Sequence, residues 1–322
     1  MILTRLNATV CCLFTTCVIN AVEPFIAPWQ GNRAGAMALT FDDGQREQAG
    51  LAGPMLNALG LKATFVINPG KTASKEDGFY GTWDQWRALS KQGHEIGNHS
   101  MTHPNFAKID TQEEAAILDQ EIVAAKALIE KEIGQPCYTF CYPFNQESDA
   151  SRAIVQRTHV VWTDRTRKTY GGPNFTSDKA NAWVDEAITK KSLIVAMIHG
   201  IDTGYLPFAG RKIFQDHLTY LASKTDQVWV APLGTIGRYM KERDQAKLSI
   251  IKSTHKTISL TLTHELDVTL YQVPLTIVLH CEGATSVTAK SEKNKTISAS
   301  VKGSVIHCNI IPGPDIVTIS WE

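Results

Sequence analysis

Between Met37 and about Arg243 short apolar runs alternate with stretches of helical period. "MALTF", "ATFVIN", "HEIGN", "YTFCYP", "HVVWT", "LIVAMI" and "VWVAP" read as strands. They are continuously apolar, as expected of strands covered on both faces. The clearest helical pattern runs from about Thr111 to Ile133, where Leu118, Ile122, Ala125 and Ile129 recur on one face. Asp110 and Glu113 offer a capping box at its start, and Gly134 and Pro136 stop it. Further helices are expected near Gln48–Leu59, Thr82–Gln92, Asp178–Lys191 and Lys212–Ser223. Strand–helix alternation on this scale predicts an α/β fold: a parallel sheet or barrel of about seven strands, with active groups at the strands' C-terminal ends.

After about Ala246 the helical period disappears. "LSIIKS", "TISLTL", "LTIVLH", "SVTAK", "TISASV", "SVIHCNI" and "DIVTISW" are short, rich in β-branched residues and separated by turn residues. They predict a small all-β sandwich. The opening segment differs again: Arg5 is followed by an uncharged run from Leu6 to Val22 that contains "INA" at 19–21. That pattern fits an export signal cut after Ala21, with an uncleaved anchor as the alternative. The expected organisation is therefore 1–21 signal peptide, 22–245 α/β domain and 246–322 β-sandwich, in a secreted or periplasmic protein with no membrane span once the signal is removed.

Composition narrows the partners. The 32 Lys and Arg balance the 32 Asp and Glu, so no overall field recruits nucleic acid or an anionic membrane. Signal cleavage would leave Cys137, Cys141, Cys281 and Cys308. Cys137 and Cys141 flank an extended stretch, about 13 Å apart and too far to bridge. A bridge between Cys281 and Cys308 is permitted by an oxidising compartment and left open by spacing. Oligomeric state is also left open.

The chemistry collects at strand ends. "ALTFDDGQ" finishes the first strand with two adjacent carboxylates, Asp42 and Asp43. Neighbouring strand side chains face opposite ways, so the two acids should hold different roles. The third strand leads into His99 and His103, the fourth into Tyr142-Pro143-Phe144-Asn145, the fifth into Asp164 and Arg165, and the sixth into His199-Gly200. Two histidines four apart, placed on one helical turn and joined by a carboxylate from another strand end, suit an open catalytic zinc site.

Thr40-Phe41-Asp42-Asp43-Gly44, His99-Ser100-Met101-Thr102-His103 and "LIVAMIHG" ending at His199 together resemble the polysaccharide deacetylases of carbohydrate esterase family 4, over roughly residues 35 to 243. The resemblance implies a distorted (β/α)7 barrel and hydrolysis of acetyl groups from a carbohydrate. It makes Asp42 the general base and His199 the opposing acid. Asp43, His99 and His103 would bind a divalent metal, zinc or alternatively cobalt or another ion. Phe144 would offer its backbone N–H to the oxyanion, with Tyr142, Trp162 and Met197 as further substrate contacts. One motif departs: Cys141 stands where many members have an arginine that holds the base, and Asn145 stands in a glycine position. Arg165 is the expected substitute cation, with Arg167 in reserve. N-deacetylation of an amino-sugar glycan is the first expectation. The rivals are O-deacetylation, as of acetylated xylan, and a non-catalytic carbohydrate-binding protein.

Overall fold

The computed structural model describes residues 23–72, 78–109, 115–163 and 165–322. The expected signal segment, the capping residues Asp110 and Glu113, and Asp164 lie outside them. After a short strand β1 (Phe25–Ile26), the chain alternates through β2 (Gly35–Phe41), α1 (Gly53–Ala58), β3 (Thr64–Ile67), α2 (Trp83–Lys91), β4 (Glu95–Asn98), α3 (Ala115–Leu118), α4 (Ala125–Ile133) and β5 (Thr139–Cys141). It continues through α5 (Asp149–Thr158), β6 (Val161–Thr163), β7 (Lys168–Tyr170), α6 (Ser177–Thr189), β8 (Leu193–Ile198), α7 (Arg211–Ser223), β9 (Val228–Val230) and α8 (Leu233–Gln245).

Every pairing in the first sheet is parallel, in the order β6-β5-β4-β3-β2-β8-β7, with β9 added against the start of β2. The sheet curls as a barrel whose end strands, β6 and β7, are not hydrogen-bonded to each other. β2 is buried along its whole length, as its unbroken apolar run requires.

The expected helix across Thr111–Ile133 is present over its described part, as α3 and α4 joined by a π-helical stretch Asp119–Ala124. Thr82 and Gln85 form a capping box for α2. Three elements escape the sequence pattern. β7 is three residues, "KTY", too short and polar for an apolar run. α5 carries few apolar positions. α8 contains Gly234 and Gly237, which lower helix propensity. Both sit at close approaches: a Cβ on Gly234 would lie 2.2 Å from the Glu95 carboxylate, and one on Gly237 2.6 Å from Val161.

The seven C-terminal strands all form: β10 (Lys247–Ser253), β11 (Thr257–Thr263), β12 (Leu275–His280), β13 (Val287–Ser291), β14 (Ala299–Lys302), β15 (Val305–Ile310) and β16 (Gly313–Trp321). They make two four-stranded antiparallel sheets, β10-β11-β16-β13 and β1-β12-β15-β14. The expected separation from the barrel is weaker than the change of pattern suggests. Leu260, Leu262 and Ile319 of one sheet and Ile277, Leu279 and Ile306 of the other share one hydrophobic cluster with Trp29, Ala36, Leu233, Ile236 and Tyr239. The Tyr239 hydroxyl donates to the Ala27 carbonyl at 2.8 Å, and buried Glu242 accepts from the Val273 N–H at 2.9 Å. A cut at 246 separates topologies but splits this core. Cys308 faces Ile277 in the β12–β15 register. Cys281 therefore lies about four residues, or roughly 13 Å, further along, and both thiols are free.

Candidate active site

β2 delivers the acids. Its ladder to β8 runs to the Phe41–Ile198 pair, and the Asp42 N–H donates to the Ile198 carbonyl at 2.8 Å. The chain then turns sharply: Asp43 has φ 78° and Gly44 φ 65°. Asp42 is buried and points inward, whereas the Asp43 side chain is 22% exposed and faces the rim. Gln48 braces this strand end, donating through Nε2 to the carbonyls of Asp42 (2.5 Å) and His199 (2.8 Å).

The two histidines lie on a loop, not on the helical turn expected from their spacing. Left-handed Ser100 (φ 66°) and His103 (φ 71°) wind that loop so that both rings turn the same way, with centroids 4.9 Å apart. A network fixes the winding. Asn68 donates to the carbonyls of His99 and Ser100, Asn98 accepts from the Ser100 N–H, and Glu121 accepts from the N–H and hydroxyl of Thr102. Left-handed conformations at non-glycine residues cost of order 1 kcal/mol or more each. Five cluster here: Asp43, Ser100, His103, Phe144 and Asn145.

Asp43, His99 and His103 converge, with one ligand atom from each within 4.8 Å of the others. Nε2 of His99 and of His103 stand 3.5 and 3.3 Å from Asp43 Oδ1. His99 Nδ1 donates to the Cys141 carbonyl at 2.7 Å, which leaves the Nε2 lone pair aimed at the cluster. Two imidazoles, one carboxylate and an oriented ring fit a divalent ion with open positions.

The expected arginine is corrected. Arg165 is exposed, and its guanidinium serves the Asn145 carbonyl and the Gln146 side chain. Arg167 reaches the base instead: its Nη1 lies 2.8 Å from both Asp42 oxygens, with both side chains only 2% exposed. The two arginines are two apart, and the chain between β6 and β7 sends the second one inward. Burial raises the Asp42 carboxyl; Arg167, with His99 and His199, outweighs it and holds the group below the usual carboxylate range. Asp43 is also held well down, its burial outweighed by hydrogen bonds from His103 and His99. Burial pushes His199 down, only partly offset by Asp42 and Asp43.

The groups border a cleft of 420 Å³ closed in by Phe144, Asn145, Thr169, Met197, Tyr205 and Leu206. Met197 and Phe144 are therefore placed as expected, Phe144 with φ 57° and its ring 4.7 Å from that of His103. Tyr142 and Trp162 are not. Tyr142 is buried in an aromatic cluster with Phe106 and Phe140, and Trp162 packs against that same core. Tyr205, missed by the strand-end reading, stands with its ring 5.0 Å from that of His199. It lies on a loop where no periodicity marks it. That loop is pinned by Glu47, whose carboxylate accepts from the N–H groups of Ile201, Asp202 and Thr203.

Residues 30–161 match the family model for polysaccharide deacetylases. That stretch, about two fifths of the chain, is similar to polysaccharide deacetylases. Among solved structures, a protein of Mycobacterium smegmatis assigned as a polysaccharide deacetylase aligns with TM-score 0.50 and 16% identity, covering 68% of this chain and 94% of its own. A family 4 acetyl xylan esterase from Clostridium thermocellum, in complex with a cobalt ion, aligns with TM-score 0.47 and 22% identity, over 62% of this chain and 89% of its own. A gellan lyase of Bacillus sp is 26% identical over 297 residues, 81% of this chain. The chain spans only 12% of that relative's length. Among the described residues no helix is long and apolar enough to cross a membrane.

Proposed function

We propose that this chain is a deacetylase that hydrolyses acetyl groups from an amino-sugar glycan. The observation that carries the reading is the separation of two differently treated acids at one strand end: Asp42 buried on Arg167, and Asp43 turned to His99 and His103. A divalent ion held by Asp43, His99 and His103, zinc by the chemistry of the donor set, would supply Lewis-acid polarisation of the acetyl carbonyl and of water. Asp42 stays ionised beside Arg167 and takes the proton of the attacking water. The Phe144 backbone, left-handed at the mouth, is positioned to offer its N–H to the developing oxyanion. His199 protonates the departing group. An amine leaves only when protonated, whereas an alkoxide is a better leaving group. A dedicated acid thus favours the N-acetyl substrate over an O-acetyl ester. The residues meet on geometry that a non-catalytic binding protein has no need of. The uncharged N-terminal run is read as an export signal; mass spectrometry of the mature protein would show Val22 as its first residue.

The test is acetate release from N-acetylated chitooligosaccharides and from acetylated xylan, before and after chelation, with zinc or cobalt restored. Release from the amide substrates, lost with chelator and regained with metal, supports the reading. Release from xylan alone would assign the ester reaction. None from either, at full metal content, would leave a binding protein.

A further inference from the structure

A second groove opens beside the catalytic cleft, with Asn145 on the border of both. It has a volume of 330 Å³ and is lined also by Tyr142, Glu147, Arg152 and Arg165. That volume suits a small polar ligand or one unit of a longer one. The charges of the lining do not cancel. Glu147 meets Arg152 at 2.8 Å, so the carboxylate in the groove is answered by one guanidinium. Arg165 is left over. Its Nε donates to the Asn145 carbonyl at 3.3 Å and its Nη2 to the Gln146 amide oxygen at 2.6 Å, both neutral acceptors. Among the described residues it has no carboxylate partner. The floor carries a second polar group in want of a partner. Tyr142 is 1% exposed, with its ring packed against Phe106 and Phe140. Its hydroxyl lies toward Ser151, Glu147 and Arg152 but in hydrogen-bonding geometry with none of them. A buried hydroxyl left so is costly, and a ligand oxygen at the floor would accept its proton.

We propose that this groove binds the carboxylate of an acidic sugar, the unit next along the glycan to the acetylated one in the cleft. A carboxylate is an acceptor-only group with room for several donors, which is what a guanidinium held at two of its nitrogens and a phenol hydroxyl offer. Asn145 joins the two recesses. Its carbonyl faces Arg165, and its side-chain amide lies 3.5 Å from Met197 Sδ in the cleft. A saccharide chain that leaves the cleft across Asn145 meets Arg165 next. The substrate class is therefore an anionic glycan in which an N-acetylated amino sugar is linked to a uronic acid. The inference rests on reading the cleft as a deacetylase site.

The experiment uses two substrates: oligosaccharides alternating N-acetylglucosamine with glucuronic acid, and the same oligosaccharides with every carboxyl reduced to a primary alcohol. The readout is the ratio of kcat/KM for the acidic over the reduced substrate, which a general disturbance of the cleft leaves unmoved. In the wild type the ratio should be roughly tenfold, the scale of a charged hydrogen-bonded pair, and should reside in KM. It should shrink as ionic strength rises. Arg165→Gln should bring it toward one, and Arg165→Lys, which keeps the charge, should restore part of it. Glu147→Gln removes the like charge from the groove and should raise the ratio by a few fold. The proposal is overturned if the wild-type ratio is near one, or if Arg165→Gln leaves it unchanged. Isothermal titration with both oligosaccharides separates the groove from the chemistry. If neither substrate releases acetate, the deacetylase reading fails. The groove then stands on tighter binding of the acidic oligosaccharide that Arg165→Gln abolishes, and falls if the two oligosaccharides bind alike.

Discussion

His217 on α7 should make this fold labile to mild acid, by an amount that can be worked out. Its ring is fully buried beside Tyr170 and Phe208, with centroids 5.3 and 5.9 Å away. Nδ1 donates to Asn181 Oδ1 at 2.9 Å, while Nε2 is buried without a hydrogen-bond partner. A charged imidazolium would have no solvent there, and burial pushes the pKa from 6.5 to about 3. The folded protein therefore keeps His217 neutral where the unfolded chain binds a proton. Stability from this residue is complete above pH 6.5 and falls as pH drops from there toward 3. At pH 5 the unfolded state has gained about 1.5 pH units of protonation at about 1.36 kcal/mol each, a loss of about 2 kcal/mol. His217→Phe keeps a ring of similar size among aromatic neighbours and removes the titration. Urea unfolding followed by tryptophan fluorescence at pH 7 and pH 5, on metal-stripped protein, measures the effect. The variant should lose about 2 kcal/mol less between the two pH values than the wild type. Equal losses would show that His217 is protonated in the fold and that its burial has been misjudged. His159, pushed by burial to about 3 and in contact with Asn98 behind the histidine loop, should add a comparable increment.

Asp43→Asn should bind metal more weakly, whereas Asp42→Asn should keep it and lose about 10²-fold or more in rate; inductively coupled plasma analysis beside acetate release would refute separate roles if both lose metal alike. Tyr205→Ala and Phe144→Ala, which remove exposed rings at the mouth of the cleft, should raise KM for oligosaccharides several-fold, about 1 kcal/mol for a stacked ring; unchanged KM would place the sugar elsewhere. A chain ending near Lys247 should fail to fold, because it exposes Leu233, Ile236 and Tyr239; a soluble, cooperatively melting truncation would show that the barrel is self-sufficient.

Asp42, Asp43, His99, His103 and His199 were legible because each follows an apolar run, and a parallel barrel collects whatever follows its strands. Arg167 was not. Choosing between it and Arg165 depends on β7, a three-residue strand with no apolar signature, which turns one arginine inward and leaves the other in solvent. Tyr142 and Trp162 were misplaced for a related reason. Proximity to a strand end does not say which face a ring takes, and both face the cluster around Phe140. The helical placing of His99 and His103 gave the right convergence from the wrong geometry, since two left-handed residues do the work of a helical turn. The C-terminal strands were readable from their β-branched runs, but patterning along a chain carries no record of which core those strands complete.

The pairing of β1 with β12 has a bearing on timing. Phe25 lies opposite Val278, so this strand, once made, has no partner until the ribosome has added some 250 further residues. At roughly 5–20 residues per second that wait is on the order of ten seconds to a minute. Throughout it the face of α8 that meets the later strands, with Leu233, Ile236 and Tyr239, is bare. Long-range closure of this kind is slow in its own right. The nascent chain should therefore pass through a long-lived, sticky stage in which the residues of the active cleft have all been made and the structure that supports them has not yet closed.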